Sequence, residues 1–172
     1  MKIVVHNDDN LKKEDINLNV YRSRAVLINS HNEILMGCLG GTYQFPGGHA
    51  KENETKEECL IREVMEETGI DITGKFTEPF YRIEYYNKDY PHNGINRYCV
   101  FNYYLVKTDV KYDLAKTNFD DYEIEYNYEL RYINLDEIIN ILKSEINNNE
   151  INKKIYPEII DVIETYLNEN IE

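Results

Sequence analysis

Apolar and polar positions alternate with different periods along the chain, and each change of period marks an element. Arg24-Ala25-Val26-Leu27-Ile28 and Ile34-Leu35-Met36-Gly37-Cys38-Leu39 are nearly unbroken apolar runs. They read as buried strands joined by a turn at Ser30-His31-Asn32-Glu33. A shorter apolar run at the start, Met1 to His6, reads as a strand and gives way to a polar stretch from Asn7 to Lys13. Lys75 to Tyr86 and Tyr98 to Val106 read as long strands, with Pro91-His92-Asn93-Gly94 as the hairpin loop between them. Leu130-Arg131-Tyr132-Ile133 is the last strand.

The period becomes helical in three places. From Thr55 to Thr68, Leu60, Ile61, Val64 and Thr68 share one face. Thr55 and Glu58 form a capping box, and Gly69 stops the helix because glycine accepts the left-handed conformation. Asn134 and Glu137 similarly open a helix carrying Ile138, Ile139 and Leu142. Asn147-Asn148-Asn149 interrupts the pattern. Pro157 is placed to open a terminal helix with Ile159, Ile160, Ile163 and Leu167 inward. Strands, helix, strands, helix predict an α/β fold with a mixed sheet between helices. The 172 residues suit one domain, with residues 1–20 as an N-terminal extension and 151–172 as a helix packed on the domain.

The first helix carries unusual chemistry. Glu63, Glu66 and Glu67 stand at i, i+3 and i+4, where side chains are neighbours and like charges repel by a few tenths of a kcal/mol per pair. A helix shaped only for stability would place a lysine there. Magnesium and manganese favour carboxylate oxygens and would offset the repulsion. Arg62, four residues before Glu66, can orient a carboxylate through its forked donors. The competing reading is a solvated acidic face.

The wider segment from Gly48 to Ile70 resembles a Nudix box. Gly48, Glu54, Arg62, Glu63, Val64, Glu66, Glu67, Gly69 and Ile70 fill every specified position of that pattern. Tyr43-Gln44-Phe45-Pro46-Gly47 resembles the strand end and loop that usually lead into it. The resemblance implies a Nudix-type α/β/α sandwich and a metal-dependent hydrolase that cleaves a nucleoside diphosphate linked to another group. It implies Glu63, Glu66, Glu67 and the Gly48 carbonyl as ligands of Mg2+ or Mn2+. It also implies Glu54 as a supporting residue of the loop and Arg62 as the brace of the glutamates. Two readings compete with it. One is a pyrophosphatase for oxidised or noncanonical nucleoside triphosphates; the other is a ligand-sensing module without turnover.

Hydrolysis needs a carboxylate to take a proton from water. Glu63 is one choice. The other is an acid ahead of the last strand, where Glu123, Glu125 and Glu129 all stand; Glu129 is the preferred one. For the substrate, Phe45 and Gly47 border the loop. Tyr86 lies past the box at a distance similar to that of a tyrosine in dinucleoside-polyphosphate members of the family. Arg82 and Arg97 are the nearest basic groups for a terminal phosphate. The chain has 16 tyrosines, so any one of them is more often packing than base stacking.

Net charge of -13 and a pI near 4.8 disfavour nucleic acid and anionic membrane as partners. An anionic substrate must then be met locally, by cations or a few basic side chains. Cys38, Cys59 and Cys99 show no CxxC spacing and read as reduced cysteines of a cytoplasmic protein. The four histidines are scattered; His49, in the glycine loop, either touches substrate or is a plain loop residue. No apolar run approaches the roughly 20 residues of a membrane span. The expected partner is a small-molecule nucleotide-type diphosphate, bound by a monomer or homodimer.

Overall fold

A computed structural model describes residues 1–169. Eight strands form one mixed sheet: β1 (Lys2–His6), β2 (Leu18–Ile28), β3 (Glu33–Leu39), β4 (Thr42–Gln44), β5 (Gly47–His49), β6 (Tyr81–Asn87), β7 (Arg97–Lys107) and β8 (Glu129–Asn134). Four α-helices accompany them: α1 (Lys56–Thr68), α2 (Asp121–Glu125), α3 (Leu135–Glu145) and α4 (Glu150–Glu169). The main strand order is β1-β6-β7-β2-β3-β4, with β5 added to β2 and β8 to β3. β1 pairs parallel with β6, so residues of the expected N-terminal extension form an edge of the sheet.

Period-2 alternation sends β2 to both faces. Ala25 and Leu27 pack with Leu60 and Val64 of α1. Val26 and Ile28 pack with Ile138 and Leu142 of α3 and with Tyr156, Ile159 and Ile163 of α4. Each face thus buries its own helical layer, and the expected α/β sandwich is borne out. Among the described residues no helix is long and apolar enough to cross a membrane.

The helix ends follow the local chemistry. Thr55 accepts the Glu58 N–H while Glu58 takes the Thr55 N–H, and Gly69 adopts φ 70° at the other end of α1. Asn134 caps α3 by accepting the Asp136 N–H. Three expectations need correction. Pro157 lies inside α4 and does not open it. The helix starts earlier because the Asn149 side chain accepts the Asn152 N–H, and Pro157 points its ring to solvent. Leu167 is exposed, not inward. Residues 75–80 are also irregular, so β6 is shorter than the apolar pattern suggested.

One feature of the sheet positions the site. β2 and β3 pair only at Leu27↔Leu35 and Ile28↔Ile34, then diverge. β5 takes the vacated edge of β2, with Arg22↔His49, Ser23↔Gly48 and Arg24↔Gly47 in register. The split carries the glycine loop under α1 on one face and opens a cavity on the other.

Candidate active site

Arg62 is the centre of the acidic cluster. Its Nε donates to Glu54 Oε1 at 2.7 Å and one terminal nitrogen to Glu54 Oε2 at 2.8 Å. The other terminal nitrogen donates to Glu63 at 2.7 Å and Glu66 at 3.0 Å. A fifth bond reaches the His49 carbonyl at 2.9 Å. The planar guanidinium fork suits this arrangement, which a lysine could not reproduce. The carboxylates raise the Arg62 pKa further, and Arg62 in turn holds Glu54 below the usual carboxylate range.

Gly48 sits against Glu63. A Cβ at Gly48 would lie 2.4 Å from the Glu63 carboxyl carbon, so only glycine admits this approach. Gly47 has φ 133°, and a Cβ there would meet the Ser23 carbonyl at 2.1 Å. Gly47, expected from the sequence to border the substrate, donates its N–H to Glu67 Oε2 at 2.9 Å.

Glu67 is 4% exposed. Its Oε2 also accepts the Tyr128 hydroxyl at 2.8 Å. Burial nonetheless dominates and raises its pKa to about 8. Tyr128 went unrecognised in the sequence. Its one signal is Gly37 inside β3, where a Cβ would lie 2.1 Å from the Tyr128 oxygen; glycine in a strand interior marks such close approaches.

Of the three acids expected ahead of the last strand, Glu123 and not the preferred Glu129 lies beside Glu67. Glu129 is exposed and bridges to Arg131 at 2.7 Å. Glu125 is exposed as well. Glu123, on α2, faces Glu67 and Glu63, and burial lifts its carboxyl above the ordinary range. The reason is a turn of helix that the sequence pattern missed: Asp120 and Glu123 form a capping box and direct that side chain inward.

Beneath the loop on the opposite face lies a cavity of about 560 Å³, bordered by Arg22, Arg24, Phe45, Phe101, Tyr103 and Glu158 among others. Phe45 meets Tyr103 edge to face at 5.7 Å. Arg24 links this cavity to the acids, since it donates to the carbonyls of Phe45 and Gly47. Arg82 and Tyr86 do not reach the cavity. They are on the α1 face of β6, Arg82 bonded to Asn102 at 3.0 Å and Tyr86 packed on Tyr98 at 4.8 Å. Arg97 is stacked over Tyr90. The even register of Arg82, Glu84 and Tyr86 puts all three on one face, while Tyr81 and Ile83 take the cavity side. His49 is kept neutral, its pKa lowered to about 4 by burial and by Arg22 and Arg24. All three cysteines are free and buried.

Among the described residues, no three His, Cys, Asp or Glu side chains are gathered closely enough to enclose an ion. Arg62 stands between Glu63 and Glu66. The donors around it are nonetheless hard carboxylate and carbonyl oxygens, the set that suits Mg2+ or Mn2+ and not a soft metal.

Comparison with known proteins bears on the family and the fold. The chain is 43% identical over 55 residues to an 8-oxo-dGTP diphosphatase of Proteus vulgaris, covering 28% of this chain and 49% of that protein. The match therefore spans about half the length of that relative. An RNA pyrophosphohydrolase of Sulfurovum is 28% identical over 131 residues, 72% of this chain and 74% of that one. The fold resembles a MutT protein from Methanosarcina mazei, with a TM-score of 0.56 and 17% identity over 91% of this chain and 98% of that one. It also resembles the NUDIX domain of Shewanella oneidensis NrtR, crystallised with ADP ribose, with a TM-score of 0.54 and 14% identity over 77% and 83% of the two chains. A NUDIX domain model matches residues 19–159, most of the chain, and the protein belongs to the Nudix family.

Proposed function

We propose that this protein hydrolyses the diphosphate bond of a nucleotide-type substrate with the help of a divalent cation. The observation that carries the reading is the junction at Gly47. There the buried Glu67, the Arg62-braced glutamates and the cavity meet through Arg24. A nucleoside in the cavity would present its phosphates to the acids.

Glu63, Glu66, Glu67 and the Gly48 carbonyl would hold the cation, with Mg2+ or Mn2+ the fitting choices. A bound divalent cation neutralises charge on phosphate oxygens and makes water a better nucleophile. Arg62 orients Glu63 and Glu66. Glu123 takes the proton from water, with Glu63 as the alternative base. Arg24 offers positive charge between cavity and loop, where an acidic protein most needs it for an anionic substrate.

The names of the two relatives favour a second reading on the same site. One is an 8-oxo-dGTP diphosphatase and the other an RNA pyrophosphohydrolase, so an oxidised nucleoside triphosphate or an RNA end is the competing substrate class.

The test is a phosphate-release panel of ADP-ribose, dinucleoside polyphosphates, sugar nucleotides, CoA and normal and oxidised nucleoside triphosphates, run with Mg2+ and with Mn2+. One class should stand far above the rest and vanish in chelator. A flat panel would move weight to a ligand-sensing module. Glu123→Gln is expected to lower kcat by about a hundredfold or more, in the range of a lost general base. An unchanged kcat would transfer the role to Glu63.

A further inference from the structure

The cavity contains a carboxylate that the proposed hydrolysis does not use. Glu158, on α4, borders it together with Arg22 and Arg24. Its Oε2 accepts the Tyr85 hydroxyl at 2.7 Å and its Oε1 accepts the Tyr103 hydroxyl. A carboxylate has about four acceptor positions. Two phenols use two of them, one on each oxygen, and leave one on each oxygen. Glu158 is half-buried where Ile155 and Ile159 of its own helix and Arg22 and Arg24 of β2 line the cavity, and a carboxylate there is costly unless its remaining positions find donors.

Arg22 supplies a second, independent observation. It borders the same cavity, with its guanidinium 5.1 Å over the Phe101 ring. Its Nε is buried and has no hydrogen-bond partner among the described residues. Buried donors rarely stay unpaired. The cavity therefore offers two adjacent acceptors on Glu158 and, on another wall, the Arg22 guanidinium held over Phe101.

We infer that the cavity selects a guanine-type base, with Glu158 as the specificity-determining residue. The Watson–Crick edge of guanine carries two neighbouring donors, N1–H and the N2 amine, beside the O6 acceptor. Two parallel N–H groups match one carboxylate, one bond to each oxygen. Arg22 is the donor available to the base's acceptor atoms, the pairing common for arginine and guanine. Adenine would set its N1 lone pair against a carboxylate oxygen. Hypoxanthine lacks the N2 amine and would leave one carboxylate position empty. A site built around polar groups rejects the analogue that leaves them unpaired. Tyr85 and Tyr103 then act through Glu158, holding its carboxylate toward the base.

This inference rests on the nucleotide reading proposed above, and its test is chosen to be independent of turnover. Binding of GMP, IMP and AMP to the full chain would be measured by titration calorimetry in chelator. GMP should bind roughly tenfold to a hundredfold more tightly than IMP or AMP, the scale of one or two bonds to a charged group. In Glu158→Gln the GMP affinity should fall to about that for IMP. A wild-type protein that binds the three within about twofold of one another, or binds none of them at millimolar concentration, would overturn the assignment; neither result requires a variant that folds. A variant that weakens all three equally would make Glu158 a structural tie between α4 and the sheet and would also overturn it. Discrimination without hydrolysis of any substrate would remove the hydrolase reading and leave this one standing. Hydrolysis without discrimination would do the reverse.

Discussion

Glu67→Gln should stabilise the metal-free protein while removing most of its activity. The two effects have one cause. Glu67 is buried, and burial raises its pKa from 4.5 to about 8. In the unfolded chain the group ionises at its ordinary value. Between those two values the folded state holds the proton more tightly, so folding stability falls as pH rises from about 4.5 to 8. At pH 8 the cost reaches about 4 kcal/mol as an upper figure. Glutamine keeps an oxygen to accept the Gly47 N–H and the Tyr128 hydroxyl, and it has no charge to desolvate. Urea unfolding in chelator at pH 5 and pH 8 should show the wild type losing stability across that interval and Glu67→Gln losing little. A cation ligand is expected to supply several kcal/mol of transition-state stabilisation, so turnover should fall by about a thousandfold. Parallel stability curves for the two proteins would refute the burial argument. Near wild-type turnover at saturating Mg2+ would refute the ligand role.

Arg62→Lys should destabilise the fold by about 2–3 kcal/mol, because one ammonium cannot reach Glu54, Glu63 and Glu66 at once and leaves shielded carboxylates without a bonded partner. These side chains are largely shielded: 20% of the Arg62 side chain is exposed and 13% of Glu54. Exposed ion pairs would be worth only about 0–1 kcal/mol. Lysine retains the charge but spans neither both Glu54 oxygens nor the His49 carbonyl. A chemical unfolding midpoint close to wild type would mean that the five bonds of Arg62 contribute no more than a surface pair. The substitution should also lower kcat, since Glu63 and Glu66 lose their orientation. Comparison with Arg62→Gln separates charge from geometry: if the two variants unfold alike, the fork and not the charge sets the stability.

Local chemistry was readable where a few neighbouring residues determine the outcome. The capping box at Thr55 and Glu58 and the left-handed Gly69 bound α1 as their sequence implies. The i, i+3, i+4 spacing brings Glu63 and Glu66 to one guanidinium, as helix geometry requires. At the terminal helix local reading erred. Pro157 looked like a helix start, yet Asn149 opened the helix a full two turns earlier. Glu129 looked like the additional acid because it directly precedes a strand. A five-residue helix instead turns Glu123 toward Glu67 and leaves Glu129 to Arg131.

By itself the sequence determined the helix with its acids, the glycine loop before it, the family and the two-faced sheet. Each of these depends on spacing within a few residues or on a repeating period. Only the tertiary structure decided which acid joins Glu67, that Tyr128 bonds to it, and that Arg82 and Tyr86 stand on the face away from the cavity. It alone brought Glu158 to Tyr85 and Tyr103, from segments more than fifty residues apart. Such contacts depend on strand register and on the divergence of β2 from β3. A shift of one residue in register would exchange the faces of every side chain on a strand, and no local pattern records where a sheet splits.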